Sequence, residues 1–302
     1  MDNKDENYAV TGDWEDGFEA FPDSLSRITR KSEPFYKKSH IEMTLTAGCP
    51  MMCSYCPQEN YIKGYKDIDT PKKSMTLEDY KVILSNVDVV SYVYFTGFTE
   101  PLVNPNWYEI VKYTVDQGFR TSINTTLYSV KSEDIDKLVS LRIPVQIHLT
   151  DSKRKIPQDI YEEFLDKYKG IPQVGYFNDT GKSLMPELGR KAAVMHDRGG
   201  NLDEDRAPQT KVIKTPVTCS TMRQYSNACL PNGDVSVCCS DFSLEYILGN
   251  LLTTKLSEIH NSQKMKDFLA KMAEGDQNFI CNKCWYARST ISEKSWKQKK
   301  KK

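Results

Sequence analysis

Residues 47–57 read Ala47-Gly48-Cys49-Pro50-Met51-Met52-Cys53-Ser54-Tyr55-Cys56-Pro57, three cysteines in a C-x3-C-x2-C spacing. The run before them, Ile41-Glu42-Met43-Thr44-Leu45-Thr46, alternates apolar and polar side chains and is predicted as a strand. Gly48 and Pro50 then turn the chain into a loop. Three thiolates on one short loop can face one inorganic centre, and no fourth ligand follows nearby. A structural zinc site normally closes with four protein ligands. A cubane iron–sulfur cluster held by three cysteines leaves one iron open. The competing reading of the triplet is a zinc knuckle completed by His40 or by a partner's side chain.

The chain has 302 residues, 39% hydrophobic and 27% charged, enough for one large domain or two unequal ones. Its 41 basic and 41 acidic residues cancel, so nothing global points to nucleic acid or an anionic membrane. The polar start, Met1-Asp2-Asn3-Lys4-Asp5-Glu6-Asn7, does not read as a signal peptide, and no apolar run is long enough to cross a bilayer. Nine cysteines fall in two groups, Cys49, Cys53 and Cys56, then Cys219, Cys229, Cys238, Cys239, Cys281 and Cys284. That grouping suits reduced, metal-ligating thiols in the cytoplasm better than a secreted disulfide framework.

Residues 1–40, with Trp14, Phe18, Phe21, Phe35 and Tyr36 among many charges, are expected to form an N-terminal extension. From Ile41 to about Tyr176 strands alternate with helices. Thr76 is the expected N-cap of a helix through Tyr80, Ile83 and Leu84, with Asp79 at N3. Val89 to Phe95 is the next strand, Asn106 to Gln117 a helix stopped by Gly118, and Thr121 to Asn124 a strand. A helix to Leu141 blocked by Pro144, a strand Val145 to Leu149, a helix from Gln158 to Lys169 and a strand Gln173 to Phe177 complete the pattern. Such alternation implies βαβ units and parallel pairing. The polar stretch Asn201 to Pro208 marks the expected boundary, with domains at 41–205 and 206–290. Residues 291–302, ending in four lysines, are expected to be a solvated, disordered tail.

The first cysteine loop resembles the signature of the radical S-adenosylmethionine (SAM) enzymes, C-x3-C-x-aromatic-C, with Tyr55 at the aromatic position. The resemblance covers residues 41 to 290. It implies an α/β fold, an open, partial (β/α)6 TIM-like barrel, and a [4Fe-4S] cluster on Cys49, Cys53 and Cys56. The open iron of that cluster binds SAM, and one electron splits SAM to a 5′-deoxyadenosyl radical that takes a hydrogen from the substrate. Barrel chemistry sits at the C-terminal ends of the strands, where Cys49, Gly97, Asn124 and Asp151 would lie. Thr96-Gly97-Phe98-Thr99-Glu100-Pro101-Leu102 resembles the family's G-x-G-E-P-L segment, which receives the SAM amino group, with Thr99 in place of the second glycine. Ser122 and Asn124, two apart on one strand face, resemble the family's polar strand at the SAM ribose and carboxylate. Thr125-Thr126 stands where Asn-Gly is usual.

The second cysteine group resembles the auxiliary-cluster module of many radical SAM enzymes, called SPASM in its two-cluster form and Twitch in its one-cluster form. The matching order is a first Cys, a hairpin with Asn232-Gly233-Asp234 and a following Cys-Cys, Gly249-Asn250 before a helix, and a last Cys-x2-Cys. It implies an auxiliary [4Fe-4S] cluster on Cys219, Cys238, Cys281 and Cys284, and the cysteine count favours Twitch. In a strand, adjacent Cys238 and Cys239 would project to opposite faces. A four-cysteine zinc site is the alternative. His196-Asp197-Arg198-Gly199-Gly200-Asn201 resembles the family's Arg-Ala-Gly-Asn linker.

The reaction expected by this resemblance is dehydrogenation of a small polar, sugar-like or aminocyclitol alcohol, with the auxiliary cluster as electron acceptor. An external one-electron reductant of flavodoxin or ferredoxin type would feed the first cluster. Arg198, Asp151 and Cys239 are candidate catalytic residues, and no general base is identified. Epimerisation, with Cys239 or Cys229 returning a hydrogen, and peptide maturation are the alternatives within the family. A zinc-binding scaffold is the alternative outside it.

Overall fold

The computed structural model describes residues 40–149, 158–167, 174–178, 197–221 and 223–299. The N-terminal extension up to residue 39 lies outside them, as does Asp151. Five parallel strands, β1 (Ile41–Met43), β2 (Tyr92–Phe95), β3 (Arg120–Thr125), β4 (Val145–Leu149) and β5 (Val174–Asn178), lie in sequence order across one sheet. Among the described residues this sheet does not close, in keeping with a partial barrel.

Helices link the strands: α1 (Gln58–Lys66) and α2 (Leu77–Ser85) between β1 and β2, then α3 (Trp107–Asp116), α4 (Ser132–Leu141) and α5 (Gln158–Lys167). Helix α2 starts where expected, with the Thr76 side chain accepting from the Asp79 N–H at 3.1 Å. Helix α4 ends at Arg142 in the left-handed region, before Pro144 is reached. Helix α1 has no sequence counterpart in the expectations. It follows Pro57 without a side-chain cap and contains Gly64, so Glu59 in its first turn and the lysines in its last are weak local signals for it.

The parallel register fixes two faces. Ile41, Met43, Val93, Phe95, Ile123, Val145 and Ile147 are fully buried and carry the core that receives Tyr80, Ile83, Ile110, Ile135, Leu138 and Phe164 from the helices. Alternation sends Glu42, Tyr94, Ser122, Asn124 and Gln146 to the other face. That inner face is polar and cross-linked: Tyr92 donates to Ser122 Oγ and Tyr94 to Gln146 Oε1, each at 2.5 Å.

The sheet does not stop at residue 205. β7 (Ala228–Cys229) pairs in parallel with β1 and continues antiparallel into β8 (Asp234–Ser236) and β9 (Ile247–Asn250), giving eight strands among the described residues. Helices α6 (Leu256–His260) and α7 (Gln263–Met272) pack Ile259, Met265 and Phe268 into the same core. A small antiparallel pair, β6 (Val217–Cys219) with β10 (Ala287–Ser289), and helix α8 (Ile280–Lys283) close this end. The C-terminal segment differs from expectation. Residues Glu293–Lys299 form helix α9 rather than a disordered tail. Seven residues without proline or glycine, opened by Ser292 accepting from the Ser295 N–H, are sufficient for two turns.

Candidate active site

The first cysteine loop leaves the C-terminal end of β1 and meets the turn after β2. Gly97 has φ +82°, and a Cβ there would lie 2.1 Å from Thr44 Oγ1. Only glycine allows this approach, which lets the Phe98 N–H donate to Thr44 Oγ1 at 3.2 Å. Thr99, in place of a second glycine, donates its hydroxyl to the Thr46 carbonyl at 2.8 Å and ties the turn to the cysteine loop. Phe98 stacks on Tyr61 of α1 at 4.9 Å between ring centroids, and Phe242 meets it edge-on at 5.1 Å.

Glu100 is buried at the centre of this arrangement. Its Oε1 accepts from Thr125 Oγ1 at 2.6 Å and from the Leu102 N–H at 3.2 Å. Its Oε2 accepts from the Thr126 N–H at 2.6 Å and from Thr126 Oγ1 at 2.7 Å. Burial raises its pKa, and these four donors oppose the rise. The two threonines that depart from the usual Asn-Gly are therefore the groups that orient this carboxylate.

The three cysteines of the loop lie within electrostatic reach of one another. Burial pushes the Cys49 thiol up to about 11, while the Met51 and Glu100 N–H groups at its sulfur work the other way. Cys56 is pushed up to about 12, again by burial, and the Arg198 guanidinium is the main opposing influence. Tyr55 is buried beside them. Arg206, from beyond the polar stretch, donates from Nε to the Ser54 carbonyl and from Nη2 to the Cys56 carbonyl, both at 2.8 Å, and pairs with Glu59. Sequence reasoning missed Arg206, because nothing local marks a residue that acts across 150 positions.

In the second group, burial and the neighbouring thiols of Cys239, Cys281 and Cys284 raise the Cys238 pKa. Cys281 is raised by burial, then by Cys284 and Cys219. Cys219, Cys238, Cys281 and Cys284 thus gather in one place, with Cys239 beside them. Cys238 and Cys239 lie past the end of β8, so the alternation expected of a strand does not govern them. Cys229 is fully buried in the core on β7, its thiol directed at the Leu230 carbonyl. It does not face a cavity as a hydrogen donor must.

Comparison with known proteins agrees with this geometry. The family model of the Radical SAM superfamily matches residues 43–184, and that of SPASM, an iron–sulfur cluster-binding domain, matches residues 219–285. The chain belongs to the radical SAM superfamily. It is 24% identical over 251 residues to the S-adenosyl-L-methionine-dependent 2-deoxy-scyllo-inosamine dehydrogenase of Niallia circulans, covering 82% of this chain and 92% of that protein. It is 26% identical over 156 residues to the AdoMet-dependent heme synthase of Methanosarcina barkeri, covering 50% of this chain and 39% of that one. Among solved structures, BtrN in complex with AdoMet and 2-DOIA superposes with a TM-score of 0.58 at 20% identity, covering 83% of this chain and 93% of the other. The anSMEcpe complex with AdoMet and Cp18Cys peptide gives 0.52 at 13% identity, covering 82% and 86%. Both show the shared fold.

A radical SAM enzyme with such a domain uses SAM, a SAM-binding [4Fe-4S] cluster and auxiliary iron–sulfur chemistry. The residues present fit these groups. Among the described residues no group of three or more His, Cys, Asp or Glu side chains could hold a single metal ion. The thiols of each cysteine group nevertheless sense one another's charge, as suits a cluster in which each thiolate takes a different iron. Thr46 Oγ1, Gln58 Nε2 and Asn124 Oδ1 are buried without a hydrogen-bond partner, although such atoms are ordinarily satisfied. Thr46 follows β1, Gln58 opens α1 and Asn124 lies near the C-terminal end of β3, and the amino, carboxylate and hydroxyl groups of a nucleotide are the kind of partner such atoms lack. Among the described residues no helix is long and apolar enough to cross a membrane.

Proposed function

We propose that this radical SAM enzyme oxidises a carbinol carbon of a small polar ring, an aminocyclitol or related sugar-like alcohol, to a ketone. The observation that carries the reading is the likeness to the 2-deoxy-scyllo-inosamine dehydrogenase, which runs through both domains and spans 92% of that relative. When bound, the first cluster supplies the electron that converts SAM to the hydrogen-abstracting 5′-deoxyadenosyl radical. Cys49, Cys53 and Cys56 hold that cluster. Glu100, fixed by Thr125 and Thr126, receives the SAM ammonium in a charge-assisted pair. Tyr55, Gly97, Phe98 and Thr99 shape the nucleotide site, and Ser122 and Asn124 meet its polar groups from β3. Cys219, Cys238, Cys281 and Cys284 would hold one auxiliary cluster, which would supply the acceptor for the second electron of the oxidation while the hydroxyl proton passes to solvent.

Arg198 orients the substrate hydroxyl. Its proximity to Cys56 puts a planar, permanently charged donor fork at the mouth of the sheet. A flavodoxin- or ferredoxin-type protein supplies electrons, and the reaction takes place in the cytoplasm. The test is anaerobic incubation with SAM, a strong reductant and 2-deoxy-scyllo-inosamine deuterated at its carbinol carbons. Deuterated 5′-deoxyadenosine and an equivalent of ketone are expected. 5′-Deoxyadenosine without deuterium, and with no ketone, overturns the alcohol reading while leaving the SAM chemistry intact.

A further inference from the structure

We infer that the turn 197–206 is a strap that sets the position of the first cysteine loop against the second cysteine group, with Arg206 as its positioning residue. Three consecutive residues in it have left-handed backbones, Arg198 at φ +50°, Gly199 at +71° and Gly200 at +81°. Arg198 is not a glycine, so this conformation is strained and must be held by its surroundings. Asp197 holds it. Its carbonyl accepts from the Asn201 and Leu202 N–H groups at 2.9 and 3.1 Å. Its buried carboxylate accepts from the Thr210 N–H at 2.9 Å and hydroxyl at 2.7 Å.

One side of the turn grips the first loop. Arg206 spans the Ser54 and Cys56 carbonyls and Glu59 with a single guanidinium. Asn60, at the start of α1, donates to the Asn201 carbonyl at 3.3 Å. The other side grips the second group. Asn201 Nδ2 donates to the Ser240 carbonyl at 2.9 Å, two residues past Cys238. A Cβ on Gly199 would meet Ile280 at 3.4 Å, and one on Gly200 would meet Lys283 at 3.0 Å. Those two neighbours directly precede Cys281 and Cys284.

The first loop needs such support. It is irregular: Met52 has φ +51° and is 76% exposed, and the Cys56 N–H turns back to donate to the Cys53 carbonyl at 3.1 Å. An arginine fork can hold two carbonyls and a carboxylate in one fixed plane, which a lysine ammonium cannot. The inference rests on the two cluster sites and not on the alcohol reading, so its test needs no substrate.

Full-length protein, reconstituted anaerobically with iron and sulfide, is compared as wild type, Arg206→Lys, Asn201→Ala and the control Lys112→Ala. Lys112 forms an exposed ion pair on α3, remote in sequence from both cysteine groups. Arg206→Lys is expected to keep full iron content. Its SAM affinity should weaken on the order of tenfold, as for partners that orient metal ligands, and the electron paramagnetic resonance change on adding SAM should be altered. Asn201→Ala is expected to change the magnetic interaction between the two reduced clusters with the iron content of each retained. The control should match wild type throughout. Arg206→Ala is avoided as the deciding variant because it can lose the loop altogether. Wild-type SAM affinity and spectra in Arg206→Lys, or an unchanged cluster–cluster interaction in Asn201→Ala, overturns the strap.

Discussion

Glu100 accepts two hydrogen bonds from Thr126, one from its backbone N–H and one from its hydroxyl. The carboxylate is thereby aimed by a residue 26 positions away, from just past the end of the adjacent strand β3. Replacing Thr126 with valine keeps the shape and the N–H but removes the hydroxyl. A buried acceptor that loses a donor costs about 1–3 kcal/mol. Thr126→Val is therefore expected to lose about that much stability in urea unfolding and to bind SAM more weakly. Unchanged SAM affinity would remove Glu100 from the nucleotide site.

Gly97→Ala should be more damaging than its single methyl suggests. The new Cβ would fall 2.1 Å from Thr44 Oγ1 at a φ of +82°. Relief requires the β1 end and the Phe98 turn to separate, breaking the Phe98 to Thr44 hydrogen bond. A loss of more than about 2 kcal/mol is expected, with SAM binding abolished. Calorimetric unfolding of the variant and wild type, side by side, checks this.

His260 makes stability depend on pH. It is buried in α6, donates from Nε2 to Asn227 Oδ1 at 2.6 Å and meets Tyr225 edge-on. That direction follows because Asn227 Nδ2 already donates to the Gln224 and Val237 carbonyls. Burial lowers its pKa from 6.5 to about 4. Between those values the unfolded chain binds the proton and the folded chain does not. Stability is thus full above about pH 6.5 and declines as the pH falls towards 4, by about 3 kcal/mol from this group. His260→Gln should flatten that part of the profile in urea titrations at pH 7, 6, 5 and 4, values chosen as about evenly spaced across the window.

The cysteines divide by what they touch. Cys238→Ala is expected to lower the iron content from about eight to about four per chain, the value for two and one four-iron clusters. Cys229→Ala should leave it near eight, because that thiol is enclosed in the apolar core. Iron and sulfide analysis after anaerobic reconstitution separates the two. Iron loss in Cys229→Ala would move that residue into the ligand set.

The parallel strands and the helices α2 to α5 were legible because their signals are local. Thr76 with Asp79, Gly118 after α3 and the alternation in Ile41 to Thr46 each depend on a few neighbours in sequence. Helix α1 was not legible, since its stability comes from Tyr61 stacked on Phe98 and Tyr65 and from Gly64 against the Ser243 carbonyl. The helix at Glu293–Lys299 was not legible for a related reason. Charge density argues for solvation, but the segment before the last lysines has a helix start and no breaker.

The spacing of Cys49, Cys53 and Cys56 by itself put three thiolates on one loop, neighbours without any tertiary information, and its resemblance to the radical SAM signature implied the chemistry. Their support is a different matter. Thr125 and Thr126 meeting Glu100, Arg206 meeting the Ser54 and Cys56 carbonyls, and β7 joining β1 all bring together residues far apart in the chain. Hydrogen bonds have short reach and leave no periodic mark on the sequence. Only the fold could decide which carbonyl each distant side chain would find.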